Sequence, residues 1–198
     1  GGLTWSEHRL PTENTGMAAT WNFEEAQVYP DESDNLHAMW MGADNMPYYS
    51  YSFDTGDSWS DPIMIAPPIG LNGTGFPAVA AGDSGRVAFA YLGDSGGNTW
   101  NGYISVMTDS FSEMPLITTV QVNNFGDPLD TEVDCGYNRC GGFGDFIDIL
   151  VDQYGRPWFG LSHNIVDQGI YGTMMIGPSL RDSTIPLNPL PEGGFSTL

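Results

Sequence analysis

The sequence predicts an all-β chain, an incomplete propeller of about three four-stranded blades plus one outer strand of a preceding blade. Three observations carry this. Glycine and proline are abundant (26 and 14 residues) among plentiful aromatics, a composition of short strands and many turns. No window holds a 3.6-residue apolar period over three turns, so long helices are not expected. Most tellingly, a strand–turn–strand unit recurs along the chain.

The recurring unit is a turn followed by an apolar strand. Asp34-Asn35-Leu36-His37-Ala38-Met39-Trp40-Met41-Gly42 aligns with Gly85-Arg86-Val87-Ala88-Phe89-Ala90-Tyr91-Leu92-Gly93, and both with Gly155-Arg156-Pro157-Trp158-Phe159-Gly160-Leu161-Ser162. Each copy follows another strand, at Ala26–Tyr29, Pro77–Ala81 and Ile147–Val151. Third strands are expected at 48–53, 102–108 and 170–176. Fourth strands are expected at 63–66, 116–122 and 183–187. From Gly42 to Gly93 the period is about 50 residues, the arithmetic of a four-stranded blade. The spacing to the third copy is longer because an Asp-rich, Cys-bearing stretch is inserted at 123–144. Runs such as Val87 to Leu92 are apolar without alternation, as strands packed on both faces are. A β-sandwich is the alternative, but it requires no such repetition. The expected segments are an outer strand in 1–11, blades in 17–69 and 70–125, an acidic Cys-containing loop in 126–144, and a third blade with a Pro-rich tail in 145–190.

Charge restricts the partners. Lysine is absent, and five arginines face 25 acidic residues, for a net charge of −20. Neutralising phosphates needs Lys and Arg, so nucleic acid is excluded as a partner and anionic lipid is disfavoured. No apolar run approaches the ~20 residues that span a bilayer. The acidity reads either as a solvated surface adapted to salty surroundings or, in part, as Ca²⁺ ligands. Asp127, Asp130, Glu132 and Asp134 form one such acidic run, although without the spacing of an EF-hand loop. Asp31, Glu32 and Asp34 carry the same ambiguity. Cys135 and Cys140, the only cysteines, are spaced to close a small disulfide loop, which suits an extracellular or cell-surface setting.

One turn is especially informative. Ser52-Phe53-Asp54-Thr55-Gly56-Asp57-Ser58-Trp59 lies between two β-rich runs. Asp54 can accept backbone N–H bonds within a tight turn, and Gly56 can take φ > 0. Ser52 can hydrogen-bond across the turn, and Trp59 can bury its ring beside it. Gly2-Leu3-Thr4-Trp5-Ser6-Glu7 repeats Gly56-Asp57-Ser58-Trp59-Ser60-Asp61. It reads as half of the same motif, as if the chain were a piece of a longer protein or a cleavage product.

These residues, Ser52, Asp54, Gly56 and Trp59 with Gly2 and Trp5, match the Asp box, and the chain resembles the sialidase-like propellers with BNR/Asp-box repeats. The segment from Gly144 to Trp158 also resembles members of that group, and the likeness spans about residues 1–176. It implies a ring of about six or seven blades, of which this chain holds about half. It also implies exo-glycosidase activity on sialic acids in some members and no known activity in others. A sialidase site needs an arginine triad that clamps the sugar carboxylate, a Tyr nucleophile with a Glu partner, and an Asp acid/base.

The chain departs from that pattern. Arg9, in His8-Arg9-Leu10-Pro11, falls on the expected outer strand and reads as a surface residue. Arg86 and Arg156 share one repeat position in a turn, and Arg181 lies in the tail. Only Arg139 is a plausible pocket arginine. Asp145 and Asp148, at the entrance to an inner strand, are the candidate acid/base or cation-binding carboxylates, against a reading as turn cap and exposed acid. Trp40, Tyr48 and Tyr49 are the candidate sugar-stacking platform, against a reading as core. His8, His37 and His163 show no metal-ligand spacing, and His37 reads as a packed or paired core residue. The expected function is a sialidase-like module that binds glycan or protein without complete catalytic machinery in this chain. The alternatives are part of an active exo-glycosidase and a structural surface protein. The open edges of an incomplete ring are expected to be covered by blades of another polypeptide or by a second copy.

Overall fold

Three antiparallel sheets form where the repeats place them. The computed structural model describes residues 4–18, 26–66, 70–97, 99–129, 147–163 and 169–182. The first sheet contains β1 (Ala26–Pro30), β2 (Leu36–Met41), β3 (Pro47–Ser52) and β4 (Ile63–Met64), in that order. The second contains β5 (Gly73–Ala81), β6 (Val87–Asp94), β7 (Trp100–Met107) and β8 (Ile117–Gln121). The third contains β9 (Asp148–Val151), β10 (Pro157–His163) and β11 (Gly169–Met174). Each sheet is an up-and-down meander, and no helix occurs among the described residues. The fourth strand expected at 183–187 lies outside them.

The sheets stack as in a fan, which gives an incomplete propeller-like architecture. The first strands adjoin: β5 packs on β1 and β2, and β9 packs on β5 and β6. The second sheet is covered on both faces, which explains its unbroken apolar runs. One face holds Val87, Phe89, Tyr91 and Tyr103 against Met39, Met41 and Tyr49 of the first sheet. The other presents Ala80, Ala88, Ala90 and Ile104 to Ile149, Phe159 and Leu161 of the third. Alternation along each strand sends successive residues into the two cores.

The three turns between first and second strands are copies of one another. Asp31, Gly82 and Asp152 each donate a backbone N–H to the residue four positions on, Asn35, Arg86 and Arg156. The residue just before that acceptor is left-handed each time: Asp34 (φ 62°), Gly85 (71°) and Gly155 (76°). Residues 179–182 tie two of these turns together. Leu180 donates to the Gly155 carbonyl and accepts from the Asp83 N–H. A Cβ at Gly82 would sit 1.9 Å from the Leu180 oxygen, so this copy has glycine where the others have aspartate. Arg86 reaches the Ser179 carbonyl and Asp182, and Arg181 reaches Glu32 and Asp83. Arg86, Arg156 and Arg181 all serve this end of the fan.

Asp31 is the centre of a buried network. Its side chain and that of His37 are fully buried. The carboxylate accepts from the N–H groups of Ser33, Asn35 and Gly85, from the Asn35 amide, and from His37 Nε2 at 3.2 Å. An ionised carboxylate only accepts, so His37 carries its proton on Nε2 and its Nδ1 accepts from the Tyr49 hydroxyl at 2.8 Å. Burial pushes the Asp31 carboxyl up, but the bonds from Asn35, Gly85, His37 and Ser33 outweigh it and hold the group below its usual range. Burial lowers His37 despite the carboxylate beside it.

This sets an acid response. A histidine depressed in the folded state contributes stability that is complete above its unfolded pKa of 6.5 and is lost as pH falls below it. Thermal unfolding scans are expected to show Tm falling first below about pH 6.5. A steeper fall is expected below 3.8, where Asp31, Asp54 and Asp152, all depressed from that value, take up protons. In a His37→Gln variant the first decline should vanish while the second remains.

The N-terminal expectation is corrected. Among the described residues, 4–18 form no strand. Instead they lie over the first sheet. His8 packs on Gly56 and stands 3.1 Å from Asp57. Thr15 accepts from the Trp40 indole and, through its carbonyl, from the Ala43 N–H.

Candidate functional site

The Ser52–Trp59 turn connects β3 to β4 and uses its side chains as their types require. Ser52 Oγ donates to Asp54 Oδ1 (2.8 Å) and accepts from the Gly56 N–H (2.9 Å). The Asp54 carboxylate accepts from the N–H of Ser58 (2.8 Å) and from its hydroxyl (2.6 Å). These hydrogen bonds from Ser58 and Ser52 lower the Asp54 pKa to about 2. Gly56 has φ 96°, and Trp59 is half-buried. Because the Ser52 and Asp54 side-chain acceptors are used within the turn, the turn is a structural latch. The half copy at the start of the chain does not behave alike: Trp5 is 91% exposed, and Gly2 lies outside the described residues.

The aromatic platform is also corrected. Trp40 and Tyr49 are fully buried. Trp40 pairs with Tyr48 in register, and Met39 with Tyr49, so the alternation of a strand sends Trp40 and Tyr49 to opposite faces. Tyr49 belongs to the core shared with the second sheet. Tyr48 alone is partly exposed; it stacks on Trp40 and bonds to Asp44.

Asp148 heads β9 and is exposed. Its Oδ1 accepts from the adjacent Ile149 N–H (2.8 Å). Asp145, Asp130, Glu132, Asp134, Arg139, Cys135 and Cys140 lie outside the described residues. Asp127 lies within them and marks a different site. Among the described residues no cluster of three or more His, Cys, Asp or Glu is placed to hold a metal ion.

Asp127 meets His163 in a cleft of about 100 Å³ between the second and third sheets. The strands run up and down, so the end of β8 and the end of β10 lie opposite the Asp31, Gly82 and Asp152 turns. His163 Nε2 is 3.3 Å from both the carbonyl and Oδ1 of Asp127. That carboxylate oxygen is buried and makes no hydrogen bond of good geometry. Asn123 braces the wall: its amide donates to the Asp127 carbonyl and to Asn101, and its oxygen accepts from the Gly102 N–H. Tyr171 packs edge-on to the His163 ring at 6.2 Å and is 38% exposed. Thr173 and Asn124 complete the polar rim.

The cleft combines an accessible aromatic ring, carboxylate and amide acceptors, and an imidazole. Such a set offers hydrogen-bond acceptors beside an aromatic face. Its volume takes about three waters or a comparable group. In the sequence Asp127 is one acid of an acidic run and His163 has no partner motif, because nothing local links positions 36 residues apart.

No family model matches the chain, and no curated protein matches it by sequence. Solved structures do match. A protein of unknown function from Dyadobacter fermentans superposes with a TM-score of 0.52 at 13% identity, covering 81% of this chain and 40% of that one. An intramolecular trans-sialidase from Ruminococcus gnavus gives 0.45 at 12% identity over 76% of this chain and 31% of its own. A leech intramolecular trans-sialidase gives 0.41 at 15% over 75% and 23%. At these identities the likeness concerns the fold alone. The chain spans less than half the length of each of these proteins.

Proposed function

We propose that this chain is part of a sialidase-like propeller of the Asp-box type, acting outside the cell, that binds glycan through the Asp127–His163–Tyr171 cleft. The observation that carries the reading is the Ser52–Trp59 latch. Its serine, aspartate and glycine make the bonds their types require, and the turn joins the third and fourth strands of a four-stranded blade. The cleft lies at the opposite end, where acceptors and an aromatic ring converge.

Binding is favoured over hydrolysis by the arginines. Arg86, Arg156 and Arg181 are engaged at the turn end, and Arg9 sits on the surface beside Glu13. The described part of the cleft therefore holds no guanidinium clamp for a sugar carboxylate. The test is a glycan array followed by calorimetry on the hits, with turnover of a fluorogenic sialoside measured in parallel. Binding is expected, and Tyr171→Ala should weaken it about tenfold through lost stacking. An array without hits, or binding indifferent to Tyr171→Ala, would remove the cleft from the proposal. Clear turnover would replace it with an exo-glycosidase.

A further inference from the structure

A second constellation lies on the Ser52–Trp59 turn, at the end of the fan opposite the cleft. The segment 4–18 brings Ser6 and His8 beside Asp57 there. Ser6 Oγ lies 2.8 Å from His8 Nε2. His8 Nδ1 lies 3.1 Å from Asp57 Oδ1. An ionised carboxylate only accepts, so the neutral imidazole carries its proton on Nδ1 and presents the Nε2 lone pair to the Ser6 hydroxyl. Hydroxyl, imidazole and carboxylate thus connect in the order, and through the nitrogens, that nucleophilic catalysis uses.

The turn builds this arrangement. Asp57 follows Gly56, and its N–H donates to the Asp54 carbonyl at 3.3 Å. Where Gly56 would carry a Cβ, His8 Cβ and Cγ already stand at 3.1 and 3.2 Å. The imidazole is therefore seated on the glycine, with 29% of its side chain exposed, and the carboxylate beside it is 73% exposed. Ser6 and Glu7 are exposed too, and among the described residues no backbone carbonyl accepts from their N–H groups. Those amides are open to the oxygen of an attacked carbonyl. Trp5, next to Ser6 and 91% exposed, offers an indole for an apolar acyl or aryl group.

We infer that Ser6, His8 and Asp57 form an acyl-transfer site that hydrolyses small, unhindered carboxylic esters. Ser6 Oγ attacks the ester carbon as its proton passes to His8 Nε2. The C–O bond to the alcohol then breaks, and the alcohol leaves with that proton. Water attacks the acyl-serine and gives a proton to Nε2. The carboxylic acid is released as that proton returns to Ser6 Oγ. Asp57 positions the imidazole. Solvent screens the exposed carboxylate, so turnover is slow and activated esters report it best.

Hydrolysis of p-nitrophenyl acetate by the whole chain, with labelling by a fluorophosphonate, tests this. A burst of nitrophenolate followed by slower turnover is expected. A single phosphonylated residue, Ser6, is also expected, as its Oγ displaces fluoride from phosphorus. Ser6→Ala should abolish the label, and both it and His8→Ala should lower turnover at least about tenfold. Asp57→Asn should lower kcat with KM unchanged, because the amide can donate to Nδ1 and so places the proton on Nε2. Asp57→Glu should restore part of that loss. Ser112→Ala, at an exposed serine outside the trio, should keep both activity and label. Hydrolysis no faster than that by free histidine at the same concentration overturns the inference, and so does a label on any residue other than Ser6. A rate lost in His8→Ala but kept in Ser6→Ala overturns it too, since the imidazole alone would then be the nucleophile.

Discussion

Replacing Asp31 with alanine is expected to destabilise the fold by about 3 kcal/mol or more. The loss is not that of one ion pair. Three backbone N–H groups, of Ser33, Asn35 and Gly85, lose their acceptor, as does the proton on His37 Nε2. The carboxylate is fully buried, so water cannot readily replace it, and each orphaned donor keeps its desolvation cost. Gly85 belongs to the second sheet's turn, so the same substitution loosens the seam between first and second sheets. Asp31→Asn should cost less, because one oxygen still accepts, but its amide protons would face the N–H groups of the turn. Urea unfolding checks both variants. A midpoint lowered at constant slope is the expected signature, and an alanine variant within about 0.5 kcal/mol of wild type would refute this account.

Phe159→Ala should cost about 3–5 kcal/mol. Its ring is fully buried between the second and third sheets, among Ala88, Ala90, Ile104 and Ile149, and it fits against Gly102. Strands cannot move inward to fill the space without breaking the β6–β7 and β9–β10 ladders, so a cavity remains. Phe159→Leu keeps most of the volume and should cost under about 1.5 kcal/mol. Filling the glycine instead, with Gly102→Val, should also destabilise, because the added carbon would meet Val122 at 2.8 Å and Phe159 at 3.1 Å. If both Phe159 variants unfold at the wild-type midpoint, the third sheet is not held on the second by this contact.

Much of the fold was legible because the signals were local. Apolar runs between turn residues placed eleven strands to within a few residues, and the threefold recurrence grouped them. Where the reading slipped, a nonlocal cause is visible. β5 starts at Gly73 rather than Pro77 because the strand continues through a bulge, with Phe76 at φ 57°, a conformation that no local propensity announces. Thr4 to Leu10 resembles an outer strand but has no partner strand among the described residues, so its sequence has nothing to pair with. Tyr48 and Tyr49 are neighbours in one strand and cannot share a face, so the expected platform does not form.

The candidate site was less legible. Asp127 stood out only as one acid among several, and His163 had no motif. Their meeting depends on how the end of β8 leaves the second sheet and where β10 of the third sheet stops. Leu129 fixes the first, by donating its N–H to the Trp100 carbonyl.

The sequence alone determined the strands, their grouping by repetition, and the Ser52–Trp59 turn, because periodicity and turn chemistry act within a few residues of each position. Only the tertiary structure decided that His37 and Asp31 share a buried network, that Asp127 faces His163, and that Leu150 and Ile170 of the third sheet stay exposed. Those outcomes depend on the stacking of sheets and the direction in which a side chain leaves its strand, and distance along the chain does not encode either.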